Sequence, residues 1–189
     1  MIDPAAPAAV AAALAPALEG LAVRTVSVRD GMAALELERE VLHEALARLK
    51  DRAGFDQVSF VTAVDHYPAE PRFELVHQLL AYATRERVRL KTRVAEGDAW
   101  VSSCIDLWPG AAYMERECYD MFGIRFEGHA GLKRLLMPEE YSHHPLRKDF
   151  PHQGIEPGRL YREWDRRRRA GWTSGSLERV HRSDWRESP

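Results

Sequence analysis

Val88, Leu90, Thr92 and Val94 alternate with Arg87, Arg89, Lys91 and Arg93. A strict two-residue period of this kind is a strand with one face for a core and the other lined by four cations. Such a strand needs neighbours of the same polarity. Two further β-type runs precede it, Val58 to Val64 and Phe73 to Ala83. His66-Tyr67-Pro68 and Glu70-Pro71 break the chain between those two, and Thr84-Arg85-Glu86 turns it before the third. Connections this short pair strands antiparallel. The cation row reads as a solvated outer face or as a docking face for an acidic partner.

The rest of the chain supplies what a one-sided sheet requires. Residues 23–29 and 33–38 flank Asp30-Gly31, which predicts a hairpin. Residues 8–18 favour a short helix by their alanine content. Val41, Leu42, Ala45, Leu46 and Leu49 form one stripe of a helix over 39–52, with Gly54 placed to cap it. A second helix lies within Asp106–Gly123 and covers the sheet from 109 to 122, with Pro109 in its first turn and Gly123 at its left-handed end. Its apolar stripe is Ala111, Met114, Cys118, Met121 and Phe122; Tyr113, Arg116, Glu117 and Asp120 lie opposite, with Glu115 and Tyr119 beside them. The expected core is Leu42, Leu46, Leu49, Phe60, Val64, Leu75, Leu79, Val88, Leu90, Met114, Cys118 and Phe122. The expected fold is α+β: a single domain with a mixed, mostly antiparallel β-sheet covered by helices, followed by an extended C-terminal arm. Its parts are an N-terminal helical segment (1–20), the core domain (21–137) and the arm (138–189). In the arm, His144-Pro145, Phe150-Pro151 and Glu156-Pro157 hold the backbone extended, and Tyr161, Trp164, Trp172 and Trp185 are aromatic anchors for a partner surface.

Composition narrows the function. With 189 residues the chain builds a core without cross-links, and its net charge of -2 predicts no bulk attraction to nucleic acid. The charge is uneven: residues 159–189 hold nine Arg against five acidic residues, +4, so residues 1–158 carry -2 - 4 = -6. The longest apolar stretch, Ala5 to Leu18, is broken by Pro7 and Pro16 and is too short to span a bilayer. Only Asp3 precedes it, so it lacks a signal peptide's basic leader. Cys104 and Cys118 are the only cysteines, which excludes a disulfide scaffold and a four-cysteine metal site.

Chemical motifs are sparse. Glu117 and Asp120, three apart on one helix, could share an acid–base site, but Arg116 beside them holds both ionised. His129, His143, His144 and His152 lack the i, i+4 spacing of a helical zinc site. Cys118 lies on the apolar stripe, and neither a nucleophile elbow nor a phosphate-binding glycine loop is present. Arg166-Arg167-Arg168-Arg169 beside Trp164 and Trp172 keeps open a nucleic-acid-binding adaptor. The residues by themselves therefore describe an interaction or scaffold subunit.

Several motifs occur together in order. Glu115-Arg116-Glu117-Cys118-Tyr119-Asp120-Met121-Phe122-Gly123-Ile124 is followed by Phe126-Glu127-Gly128-His129 and then by Lys133-Arg134-Leu135-Leu136-Met137-Pro138-Glu139. His144-Pro145-Leu146-Arg147-Lys148-Asp149-Phe150-Pro151 closes the series, and Thr62-Ala63-Val64-Asp65 and Asp106-Leu107-Trp108-Pro109-Gly110-Ala111 lie upstream. Over residues 23–151 the chain resembles the C-subunit family of the proton-pumping NADH:quinone oxidoreductase, respiratory complex I. Ala130-Gly131-Leu132 stands where that family usually reads Pro-Asp-Leu, and Lys133 stands where Arg is common.

The resemblance implies a non-catalytic subunit of the hydrophilic arm on the cytoplasmic side of the inner cell membrane. It would touch the membrane only through the complex and bind no nucleic acid. No cofactor or metal would sit on this chain, with FMN and iron–sulfur clusters carried by other subunits. Its partners would be other complex I subunits that form the quinone pocket, chiefly the D and B subunits. It further implies inter-subunit contacts through Glu115, Arg116, Glu117, Asp120, Phe122, Gly123, His129, Lys133, Arg134 and the run His144, Pro145, Leu146, Arg147, Lys148 and Asp149, unless Arg116 and Asp120 pair with each other. The equivalent subunit of a membrane-bound hydrogenase is the alternative within the same class.

Overall fold

A computed structural model describes residues 6–26, 30, 32–139, 141–152 and 154–155. The chain divides into two compact units, Met1–Phe150 and Pro151–Pro189. The boundary expected at 137/138 thus falls inside the first unit. Of the second, the described part is a turn in which the Gly154 N–H donates to the Pro151 carbonyl at 2.9 Å. The aromatic anchors of the expected arm lie outside the described residues.

The first unit runs α1 (Ala6–Leu14), β1 (Val23–Val26), β2 (Ala33–Leu37), α2 (Arg39–Ala53), β3 (Gln57–Asp65), β4 (Phe73–Leu80), β5 (Arg87–Val94), β6 (Trp100–Ser102), α3 (Ala111–Phe122) and β7 (Arg125–Glu127). β1 to β5 form one sheet in the order β1-β2-β5-β4-β3, and β6 and β7 form a second of two strands. All neighbours in the large sheet are antiparallel except β2 and β5, so the sheet is mixed and mostly antiparallel as expected. The parallel pair arises because the chain leaves β2 through α2, builds the β3–β4 hairpin at the far edge and only then returns with β5.

One face of that sheet carries the core. Leu35, Leu37, Val61, Ala63, Leu75, Leu79, Val88 and Leu90 pack with Leu14 of α1, Leu42, Leu46 and Leu49 of α2, and Cys118, Met121 and Phe122 of α3. α2 stops where Gly54 adopts φ 71° and returns its N–H to the Leu49 carbonyl, a conformation that costs glycine little.

The structure differs from the expected pattern in four places. Phe60 and Val64 point away from the core, and Val64 is 41% exposed, because the β3 register shifts between Val58 and Phe60. The shift exchanges the two faces downstream, so Val61 and Ala63 become the buried residues. Met114 is only partly buried. α3 starts at Ala111 rather than in the 106–109 segment, because a tight turn holds the Ala111 N–H to the Trp108 carbonyl at 2.9 Å. The β6–β7 pair, three residues each, is too short for an alternation to register in the sequence.

His77 lies on the core side of β4, opposite Val61 and Leu90, and neither ring nitrogen has a partner. Burial alone pushes its pKa down to about 4. The folded chain therefore holds this ring neutral where the unfolded chain would protonate it.

Two measurements test this core. Leu46→Ala is expected to cost about 2–5 kcal/mol in denaturant unfolding, whereas Val64→Thr stays within about 0.5 kcal/mol. Reversed costs would show that the β3 faces are assigned wrongly. Between the ordinary His pKa of 6.5 and about 4, the unfolded chain binds the His77 proton that the folded chain refuses, so stability falls as the pH falls through that window. The loss from pH 7 to pH 5 is expected to be about 2 kcal/mol and to be absent in His77→Leu. Equal acid sensitivity of both proteins would rule out His77 as its source.

Candidate functional site

The motif residues converge on the last two turns of α3. Its C-terminal carbonyls have no helical partner, as at any helix end. Here each finds a donor. The Gly123 N–H donates to the Tyr119 carbonyl at 2.9 Å, with Gly123 at φ 81°. Asp120, Met121 and Phe122 are capped by one distant segment: His144 Nδ1 donates to the Asp120 carbonyl at 2.9 Å, the Leu146 N–H to Met121 at 3.2 Å, and Arg147 Nε to Phe122 at 2.7 Å. A carbonyl only accepts, so the His144 proton is on Nδ1. Burial lowers the His144 pKa, with Arg147 and Arg134 adding to the effect against the Asp120 carbonyl. The Arg147 cation lies where the helix dipole favours positive charge.

Arg116 and Asp120 hold a second segment from opposite polarities. Arg116 donates to the Lys133 carbonyl at 3.1 Å and the Arg134 carbonyl at 2.8 Å. Asp120 is fully buried; its Oδ2 accepts from the Leu135, Leu136 and Met137 N–H groups at 2.9, 2.6 and 2.9 Å, and its Oδ1 takes Arg134 Nη1 at 2.6 Å. Three consecutive amides aimed at one oxygen make a backbone nest, here filled by the chain's own carboxylate. Burial would raise the Asp120 pKa; the Met137 amide, Arg134 and the other two amides outweigh it and hold the carboxyl below its ordinary range. The alternative Arg116–Asp120 pair does not form; Asp120 pairs with Arg134, since both helix residues are turned toward the 133–137 loop.

Gly123 is needed twice. A left-handed φ strains other residues, and a Cβ there would sit 2.6 Å from Arg147 Nη2 and 2.7 Å from His144 Nε2.

The other end of the 144–149 segment meets a charge cluster that the sequence did not disclose. Arg72, 1% exposed, binds Asp65 through Nε at 3.0 Å and Nη2 at 2.8 Å, Asp149 at 2.6 Å and Glu96 at 2.8 Å. The Lys148 N–H adds a bond to Asp65 at 2.7 Å, and Arg147 reaches Glu96 at 3.3 Å. Burial opposes ionisation of Asp65, but Arg72 and the Lys148 and Tyr67 amides keep its carboxyl well below the usual range. Asp65 was among the family-like residues; Arg72 was not. The signal available was a charged residue at the start of β4, across a hairpin from the Asp that ends β3.

Glu115 is buried and accepts from Ser103 Oγ at 2.6 Å and the Cys104 N–H at 2.8 Å, tying α3 to the segment after β6. His129 Nε2 bonds the Ala112 carbonyl at 3.1 Å. Phe122 is buried edge-on to Phe73. Glu117, Lys133 and Lys148 are exposed, as is Leu146, while Pro145 is partly so. The four histidines do not assemble, and no group of three metal-ligating residues occurs among the described residues. Both thiols are buried, which raises their pKa values and leaves them protonated.

Gly123→Ala and Asp120→Asn are each expected to destabilise the chain by about 2–4 kcal/mol, the first through strain and collision, the second by pointing an amide at Arg134. Hydrogen exchange should rise at the 135–137 and 146 amides before the strands of the large sheet respond. Uniform loss of protection would instead make this segment inseparable from the core.

Residues 35–156 match the family model of the respiratory-chain NADH dehydrogenase, 30 Kd subunit. The chain is 40% identical over 124 residues to the C subunit of NADH-quinone oxidoreductase from Citrifermentans bemidjiense, covering 66% of this chain and 77% of that one. It is 42% identical over 120 residues to the C/D subunit of NADH-quinone oxidoreductase from Hydrogenobaculum sp., covering 64% of this chain but 20% of that longer protein. The trypsin-resistant fragment (1-134) of Nqo5 superposes with a TM-score of 0.54 at 29% identity, over 65% of this chain and 98% of the fragment. A chain of the archaeal membrane-bound sulfane sulfur reductase shares the fold, with a TM-score of 0.66 at 23% identity over 83% of this chain and 92% of that one. No helix among the described residues is long and apolar enough to cross a membrane. With well over half its length inside the family model, the chain belongs to the 30 Kd subunit family of the respiratory-chain NADH dehydrogenase.

Proposed function

We propose that this chain is a non-catalytic structural subunit of NADH:quinone oxidoreductase, seated in the hydrophilic arm on the cytoplasmic side of the membrane against the D and B subunits. In that complex electrons pass from NADH through FMN and iron–sulfur clusters on other subunits to quinone, coupled to proton translocation. The observation that carries the reading is how the motif uses its charges. Asp120, Arg134, Arg116, His144 and Arg147 are turned onto this chain's own backbone, where they hold residues 133–149 over the end of α3. The fastened segment displays Leu136 and Leu146, 63% and 54% exposed, and Tyr113 of α3 is exposed as well. Rigidly held apolar side chains in a polar rim are anchors for a partner, since little entropy remains to be lost on docking.

The C/D name of the Hydrogenobaculum relative supports the D subunit as a neighbour. The two thiols are poor candidates for a cluster, being buried, protonated and fourteen residues apart in sequence, 104 against 118. The hydrogenase-type alternative rests on fold likeness to another respiratory membrane complex; the relatives from NADH-quinone oxidoreductases favour the quinone enzyme.

Affinity capture of the chain from detergent-solubilised membranes should bring down a complex containing flavin and iron, while the purified chain is colourless. Leu136→Glu with Leu146→Glu should reduce co-purification at least about tenfold and leave the melting temperature of the free chain unchanged. Stoichiometric iron or flavin on the pure chain would defeat the reading, as would capture of no membrane complex.

A further inference from the structure

The cation row of β5 lies on the sheet face opposite the core. The strand register lays that face out in rows: Arg93, Glu74 and Val64; then Arg24, Glu36, Lys91, Val76 and Thr62; then Val26, Ala34, Arg89, Gln78 and Phe60. The residues of α1, α2 and α3 that join the core all pack against the opposite set of strand side chains. Among the described residues no helix covers this face, and Ala34, Glu74, Val76 and Gln78 at its centre are buried. Lys91 and Arg93 share Glu74 at 2.7 and 3.3 Å, and Arg89 reaches Gln78 at 3.0 Å and Asp30 at 2.7 Å. Five cations (Arg24, Arg87, Arg89, Lys91, Arg93) face four carboxylates (Asp30, Glu36, Glu38, Glu74), a surplus of 5 - 4 = 1 on a body whose net charge is negative. Arg87 has no carboxylate partner among the described residues. The β-bulge adds the second element, turning Phe60 and Val64 outward along the β3 edge.

We infer that this face docks an acidic amphipathic helix of a neighbouring subunit, laid along β4, with its apolar stripe on Phe60 and Val64 and its carboxylates over β5. The dimensions agree. β3 and β5 flank β4 and lie about 10 Å apart, the width of one helix with its side chains. Among the described residues the helices lie on the other side of the sheet, so a docked helix would complete a second layer.

Charge selects the occupant. The chain's own residues 159–189 carry nine Arg against five acidic residues, so they bear the same sign as the face. A second copy would set two such faces against each other. A nucleic acid would meet Glu74 at the centre of the face and apolar side chains along one edge. An acidic helix suits both halves, and its carboxylates would relieve the cations that Glu74 alone now serves.

The inference rests on the chain being a subunit of a multi-chain membrane complex, and the test separates the two. Thr62→Glu with Arg87→Glu changes two exposed residues of this face, touches none of its ion pairs and takes its charge from +1 to 1 - 2 - 1 = -2. Arg125→Glu, on β7 and off this sheet, is the control. In whole membranes the double variant should lose at least about tenfold of its retention in the complex on a native gel, with the melting temperature of the free chain unchanged and the control retained. Carbodiimide coupling in the wild-type complex should join Lys91 to a carboxylate of another chain. Wild-type retention of the double variant, or Lys91 coupled only to Glu74, overturns the inference while leaving the subunit reading intact. Binding of single-stranded RNA by the free chain, lost in the double variant, overturns it in favour of a nucleic-acid face. A wild-type chain found in no membrane complex removes the subunit reading first.

Discussion

A helix that ends inside a protein leaves four carbonyls that water cannot reach, and α3 resolves this with donors from a segment more than twenty residues further on. His144, the Leu146 amide and Arg147 take the carbonyls of Asp120, Met121 and Phe122, one after another. Leaving a buried acceptor unpaired costs about 1–3 kcal/mol, so the caps act together as a strong local tie. Much else follows from it. Gly123 has to lack a side chain because the capping groups stand where one would be. The 133–137 loop has to close onto Asp120, whose carboxylate would otherwise be a buried charge without a partner.

The Arg72 cluster performs the matching task at the other end of the segment. One guanidinium draws Asp65, Glu96 and Asp149 together, and so joins the β3–β4 hairpin, the turn after β5 and the capping segment. Its position at the start of β4 makes it an organiser rather than a reactive group. Its charge is fully engaged, and the hydrogen bonds to Asp65 and Asp149 raise its pKa further. The motif and this cluster together turn polar side chains inward along the end of α3, and leave apolar ones, Leu136 and Leu146, pointing outward. That inversion of the usual arrangement is the physical basis for a scaffold subunit. Inward charges specify one backbone geometry, and outward leucines await a partner.

How much of this is legible in the sequence differs by element. The alternation in 87–94 is enough to place β5 and its two faces, because a period of two has one structural meaning. α2 is equally plain, since its leucine stripe and terminal glycine agree. The pattern of β3 misleads at Phe60 and Val64, because a one-residue bulge reverses the faces without altering composition. The motif itself is visible as a string of residues, but its geometry is not. Spacing of four on α3 suggests that Arg116 and Asp120 pair with each other; each instead bonds a loop fourteen to eighteen residues away.

The sequence by itself determined the α+β class, the one-sided sheet, the two main helices and, through its ordered motifs, the family. Those are consequences of local periodicity and of residue order, which a linear chain carries in full. Only the tertiary structure decided which polar residues face inward. That choice depends on where helix α3 ends in space and which distant donors reach its carbonyls. It also decided that Arg72 would be a hub, because three carboxylates spread from position 65 to position 149 meet only when the chain is folded. Burial converts an ordinary charged residue into one that must be paired, and burial is a property of the fold rather than of the neighbouring sequence.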